Sequence, residues 1–177
     1  MVLVPAVSTP WFSVRREQVS DIEAIDVVTR KAFASHPHSN QTEHFIVKAL
    51  RGAGALSVSL VAQADGFVIG HAAASAVQVA GRALGWFGLG PVSVAPAHQH
   101  RGVGSTLVRA VLTELQASGA AGCVLLGEAA FYRRFGFIQN PDLLLPGVPP
   151  EHFMSLAWRP PVPSGEVSYH RAFGAVA

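Results

Sequence analysis

Between Leu56 and Val94 the chain reverses twice on two-residue turns, and this spacing restricts the fold more than any other feature. Leu56 to Ala64 reads as a strand, and the Asp65-Gly66 pair that follows supplies the backbone freedom of a tight hairpin turn. Phe67 to Val79 is the return strand, Ala80-Gly81 the second turn, and Leu84 to Val94 the third strand. Such connections are too short for crossovers, so the strands form an antiparallel meander. Pro96 ends it. Leu107, Val108, Val111, Leu112 and Leu115 then mark an amphipathic helix from about Gly102 to Ala117, closed by Gly119. Cys123 to Leu126 is a short apolar run of the kind a buried strand needs. A strand, a crossover helix and a further strand make a βαβ-like unit, so the last two strands are expected to be parallel.

The flanks fit around this mixed sheet. Trp11 to Gln18 can form a strand, and Ser20-Asp21-Ile22-Glu23 reads as a capping box with Ser20 as the cap. A helix from about Asp21 to Phe33 follows, and Asn40 to Glu43 repeats the capping pattern ahead of a second helix through Leu50, stopped by Gly52 and Gly54. Ala129 to Phe135 reads as a short helix, Gly136-Phe137 as a turn and Pro146 to Pro150 as a loop. Phe153 to Trp158 and Glu166 to Phe173 read as the closing strands. Residues 1–10 look like a loose arm, and with no repeat or linker in sight the expectation is one α/β domain over 1–177.

Composition removes several classes of function. The 177 residues are 50% hydrophobic and only 14% charged, far from the make-up of a disordered chain. No apolar stretch reaches the roughly 18 residues of a membrane span, and the first residues lack a basic leader. Cys123 is the only cysteine, which excludes an internal disulfide and any CxxC site and leaves a cytoplasmic address as the expectation. The formal net charge of +2 does not make a nucleic-acid surface, because Lys31 and Lys48 are the only lysines and the arginines are scattered. A local pocket for a small polyanion fits better.

Such a pocket can be read at Leu89 to Ser105. A strand ending in Val92-Ser93-Val94 turns at Pro96 and starts a helix through Gln99-His100-Arg101-Gly102-Val103-Gly104-Ser105. The first amides of a helix have no intrahelical acceptor and lie at the positive end of its dipole. Glycines at 102 and 104 remove Cβ atoms, so a pyrophosphate can approach the backbone closely. No P-loop Gly-Lys-Ser/Thr is present, and Gly102-Val103-Gly104 runs on as Ser105-Thr106-Leu107, which is not a dinucleotide fingerprint.

Gln99, Gly102 and Gly104 instead resemble the acyl-CoA motif of the GNAT N-acetyltransferase superfamily, Gln or Arg, two residues, Gly, one residue, Gly or Ala. The likeness continues at Phe131-Tyr132-Arg133-Arg134-Phe135-Gly136-Phe137, which is similar to that family's Tyr-x-x-x-Gly-Phe segment, and the wording from Leu125 to Phe137 most resembles its YhbS-like branch. It is close over 84–137, the acetyl-CoA-binding core that the likeness implies. The resemblance implies a GNAT fold, a central sheet that is mostly antiparallel with one splayed parallel strand pair, flanked by helices. It implies acetyl transfer from acetyl-CoA to a primary amine by direct attack, without a metal, in a family whose members often form homodimers. It further implies that backbone groups of Val92 and Val94 pair with the pantetheine arm, and that the Val92 amide polarises the thioester carbonyl. Gln99, His100, Arg101, Gly102, Val103, Gly104 and Ser105 would supply the pyrophosphate site, and Tyr132 matches the tyrosine that protonates the departing thiolate.

The general base departs from the family pattern. Many members carry a glutamate on the strand before the motif, but Leu84 to Val94 contains no carboxylate. Glu128, His71 or a water chain are the candidates. The missing glutamate keeps a rival reading in view, a non-catalytic acyl-CoA-binding or sensor module. A serine hydrolase finds no GxSxG elbow. His98 and His100 read as exposed loop histidines, and His36 with His38 as loop polarity, without a carboxylate or cysteine at ligand spacing. Arg133 and Arg134 read as a solvated helix face, and Cys123 as a buried strand residue. Sparse charge leans towards a small or moderately apolar amine as the acceptor.

Overall fold

The computed structural model describes residues 11–37 and 39–177, so the expected N-terminal arm and His38 lie outside the described residues. The strands are β1 (Ser13–Arg16), β2 (Val58–Ala64), β3 (Phe67–Val79), β4 (Arg82–Val94), β5 (Gly122–Leu126), β6 (Leu143–Leu144), β7 (Phe153–Ala157) and β8 (Gly165–Ser168). The helices are α1 (Ile22–Phe33), α2 (Glu43–Gly52), α3 (Val103–Ala117) and α4 (Ala129–Tyr132). The strand order is β1-β2-β3-β4-β5-β7, with β8 beside the end of β3 and β6 paired to β8. As the spacing predicts, β2, β3 and β4 form an antiparallel meander, and β4 runs parallel to β5.

Strand alternation divides the core between two faces of the sheet. On one face Leu60, Ala62, Ala72 and Ala74 meet the apolar stripe of α3, with Leu107, Val108, Val111 and Leu115 all fully enclosed. On the other, Val61 packs with Ile25 of α1 and Val47 of α2. Farther along this second face, Val77, Trp86, Val124 and Val167 form a cluster that Tyr169 joins. Trp86 requires the bare Gly122 beside it: a Cβ there would lie 2.6 Å from the indole.

The second face also carries buried polar groups. Arg51 grips the Glu17 carboxylate at 2.9 and 2.8 Å, and Ser59 donates a short hydrogen bond to the same carboxylate. His71 Nε2 lies 2.8 Å from the Ser59 hydroxyl and 3.7 Å from Glu17. Burial works to raise the Glu17 pKa, but the hydrogen bonds from Arg51 and Ser59, with His71 close by, outweigh it and hold the carboxyl well below the usual carboxylate range. Burial pushes His71 below its ordinary value despite the neighbouring carboxylate. With Ser59 donating to Glu17, His71 is the donor to Ser59 and carries its proton on Nε2.

Several local expectations are corrected. The capping box is set by Gln18 and Asp21, not Ser20 and Glu23: the Gln18 amide donates to the Asp21 carboxylate at 2.7 Å, and a 3-10 turn, Val19–Asp21, precedes α1. The reason is Arg15, which holds Asp21 at 2.7 and 3.0 Å and fixes the turn ahead of the helix. At α2 the cap is Thr42, with no side-chain hydrogen bond, while Ser39 donates to Glu43 at 2.6 Å. The strand expected over Trp11 to Gln18 shortens to Ser13–Arg16. The final strand stops at Ser168 and gives way to a 3-10 turn, Arg171–Gly174, because Ala172 and Phe173 fold back onto Ile46 and Leu50 of α2. The two-residue β6 was not expected, being too short to show a period.

Candidate active site

The site begins with a bulge. Ala72 pairs with Val92 and Ala74 with Leu89, so two steps along β3 oppose three along β4. An extra residue bends the strand that carries it. Here the bend coincides with loss of the other neighbour, because β4 pairs with β5 only from Trp86↔Gly122 to Gly88↔Val124. Beyond Gly88 the two strands separate, while β5 continues to Leu126 against β7.

Backbone alternation decides what faces the opening. The Ala95 amide donates to Ile69 of β3 at 2.8 Å, so Ser93 and Ala95 point their polar groups at β3. Those of Val92 and Val94 therefore point the opposite way, into the opening. The Gln99 side chain confirms this direction, donating to the Val94 carbonyl at 3.1 Å. Gln99 thus spans the turn between β4 and α3.

The start of α3 adds a second set of free donors. His100 and Gly102 have φ of +59° and +86°, and among the described residues the amides from His100 to Ser105 have no hydrogen-bond acceptor. The first bond of the helix runs from the Thr106 amide to Gly102 at 3.0 Å. At Gly102 the left-handed conformation itself favours glycine. Gly104 lies 3.5 Å, measured from a Cβ placed on it, from Val94 and 3.7 Å from Phe131, so the turn, β4 and α4 meet there. Val103 is buried, Gly104 and Ser105 half-buried, and Gln99, His100, Arg101 and Gly102 exposed. Arg101 rests its guanidinium 4.1 Å over the Trp11 ring, which His98 also stacks on.

Tyr132 closes one side. Its ring lies against Gly127 at the end of β5, where a Cβ would be 2.4 Å away, and packs edge-on against Phe131 at 4.9 Å. Burial, with Cys123 nearby, pushes its phenol up to about 12, so it stays protonated at any ordinary pH. Arg134 lies over Phe131 and Arg109 over Phe135, which makes this helix face a set of cation–π contacts, more than a solvated surface. Glu128 is exposed at the cap of α4, and its carboxylate makes no hydrogen bond among the described residues. His71 is fully enclosed under α1 and α2, with Nε2 2.8 Å from the Ser59 hydroxyl. Cys123 is buried, and burial pushes its thiol far up. Among the described residues no group of three or more His, Cys, Asp or Glu could hold a metal ion. None of their helices is long and apolar enough to cross a membrane.

One residue escaped the sequence reading. Tyr169 reaches Gly88, the last residue of β4 to pair with β5, from the face opposite Tyr132. Its hydroxyl is buried without a hydrogen-bond partner, and burial pushes its pKa far up, with Cys123 and Tyr132 contributing. No local pattern flags Tyr169, since only packing brings residue 169 to residue 88.

A mixed sheet whose parallel β4–β5 pair parts beside a glycine-rich helix start defines an acyltransferase architecture, and comparison with known proteins makes that specific. Residues 55–139 match the acetyltransferase (GNAT) domain family. The "Uncharacterized N-acetyltransferase YhbS" of Escherichia coli K12 is 38% identical over 125 residues, covering 70% of this chain and 72% of the relative. The crystal structure of that E. coli YhbS with CoA superposes with a TM-score of 0.85 at 33% identity, over 94% of this chain and 93% of the other. A GNAT family acetyltransferase of Brucella melitensis in complex with acetyl-CoA gives a TM-score of 0.83 at 47% identity, over 92% and 97% of the two chains. The chain belongs to the GNAT acetyltransferases and is an acyltransferase.

Proposed function

We propose that this protein, as one GNAT domain over 1–177, transfers the acetyl group of acetyl-CoA to a primary amine by direct attack in a ternary complex. The observation that carries this reading is the opening past Gly88, lined by backbone groups of Val92 and Val94 that face away from β3 and continuous with the free amides at the start of α3. Gln99, His100, Arg101, Gly102, Val103, Gly104 and Ser105 bind the pyrophosphate. Backbone groups of Val92 and Val94 pair with the pantetheine arm. The acetyl-CoA seen in the Brucella relative and the CoA in E. coli YhbS support this choice of co-substrate.

In the reaction, the amine lone pair forms the new C–N bond at the thioester carbonyl. The oxyanion that develops is stabilised by the Val92 amide, a donor already in place before the charge appears. Collapse breaks the C–S bond, and the thiolate takes its proton from Tyr132. A phenol held protonated to about pH 12 is an available donor throughout the working range. Tyr132 regains that proton from solvent. Glu128, exposed at the cap of α4, or a water beside it takes the proton that the attacking amine loses. The acceptor reading is a small or moderately apolar amine. A cytoplasmic address follows from where acetyl-CoA is made and used.

The test is a mass-spectrometric screen of primary amines with acetyl-CoA, followed by initial rates at varied concentrations of both. An N-acetyl product equimolar with CoA, with intersecting double-reciprocal lines, is expected. Parallel lines would overturn direct attack. Tight CoA binding without product from any amine would favour the acyl-CoA-binding module.

A further inference from the structure

Two tyrosines flank the point where β4 and β5 part, one from each face of the sheet, and the mechanism above uses only one. Tyr132 belongs to the cluster on the α3 face, which includes Cys123 and Leu125. Tyr169 belongs to the cluster on the other face, which includes Trp86 and Val124. Its ring occupies the space a side chain at residue 88 would need: a Cβ on Gly88 would be 2.3 Å from Cε1 and 3.0 Å from Cδ1 and Cζ. Phe173 packs against the ring at 4.6 Å, and the same turn is anchored to α2 through Ala172 and Phe173. The ring is therefore held on both sides, and its hydroxyl is enclosed with no partner.

A buried hydroxyl without a hydrogen bond is destabilising, and removing it costs folding nothing. Its retention makes sense where the partner arrives with a ligand. Resting on the acetyl-transfer reading above, we propose that Tyr169 binds the acceptor amine. The phenol oxygen accepts a hydrogen bond from an amine N–H and so aims the nitrogen lone pair at the thioester carbon. The leaving sulfur then departs on the Tyr132 side, so that one hydroxyl serves the bond that forms and the other the bond that breaks. Tyr169 keeps its own proton throughout; the amine's proton leaves to Glu128 or water as before.

Steady-state kinetics of Tyr169→Phe, with a melting curve, test this. The expected result is a fall in kcat/KM for the amine of about tenfold or more, an unchanged KM for acetyl-CoA, and a Tm equal to or above the wild type. Gly88→Ala, which keeps the hydroxyl but displaces the ring, should give the same amine-specific loss and decides the matter if Tyr169→Phe folds poorly. Unchanged amine kinetics in both variants, with acetylation intact in the wild type, would overturn the role of Tyr169 alone. A wild type that neither acetylates nor binds any amine would overturn the acetyl-transfer reading, and the Tyr169 role with it.

Discussion

At the scale of single residues, the opening is maintained by what certain positions lack. Gly127 and Gly88 have no Cβ, and Tyr132 and Tyr169 lie in the space so freed. Replacing Tyr132 by Phe keeps the packing and removes the proposed proton donor, so kcat should fall about 10²-fold with little change in KM for acetyl-CoA. Because the phenol is pushed up to about 12, the wild-type rate should show no Tyr132-dependent decline between pH 6 and 9. An unchanged rate in Tyr132→Phe across that range would remove Tyr132 from the acid role. Gly102 is different, since a Cβ there meets nothing within 4 Å and the φ of +86° alone opposes it. Gly102→Ala should therefore lose about 1 kcal/mol of stability in denaturant unfolding, and no more, from backbone strain.

At the scale of elements, the sequence was most legible where period and turn chemistry agree. β3 begins and ends where the Asp65-Gly66 and Ala80-Gly81 turns place it, and the parallel relation of β4 and β5 follows from the crossover helix. Capping departs from the Ser20–Glu23 pattern because Arg15, six residues before Asp21, holds that carboxylate and shifts the turn. The C-terminal strand is shorter than expected because contacts of Ala172 and Phe173 with α2 turn the chain after Ser168. The turn with free amides ahead of α3 could be read from glycine spacing, whereas the place of Tyr169 could not, its partner Gly88 lying in a distant strand. The two side chains named as base candidates differ in burial: Glu128 is exposed at the cap of α4, while His71 is enclosed in the Glu17–Arg51–Ser59 network.

That network joins the segment after β1 to β2, β3 and α2, and it makes two predictions. Arg51→Ala leaves Glu17 without its cation; both side chains retain about a fifth of their exposure, so a loss of about 3 kcal/mol is expected, the low end for a buried pair. The pH dependence has a definite sign. His71 has a folded pKa below its unfolded value near 6.5, so below that pH the unfolded chain binds more protons. Stability contributed by neutral His71 is complete above about pH 6.5 and declines as pH falls from there towards the folded pKa. Glu17, also depressed, adds a further loss below its unfolded pKa near 4.5. Melting curves between pH 8 and 5 should show Tm falling with acid, and His71→Gln should flatten that slope. A slope left intact by the substitution would show that another group titrates.

At the scale of the whole molecule, the sheet is closed at one end and open at the other. Trp86 and Tyr169 seal β4 against β5 up to Gly88, and the bulge before Val92 then turns β4 away. A ligand bound in that opening stabilises the folded state in proportion to its affinity. At about a hundred times its Kd, acetyl-CoA should add about 2.7 kcal/mol and raise Tm by roughly 5–10 °C. The central claim is that this opening and the start of α3 are where acetyl-CoA lies. Backbone amide NMR shifts on titration with acetyl-CoA test it most directly. The account predicts the largest changes at Val92, Val94 and the amides from His100 to Ser105, with little change across the outer face of α1 and α2. Saturable binding that leaves those amides unmoved and shifts another surface would contradict it.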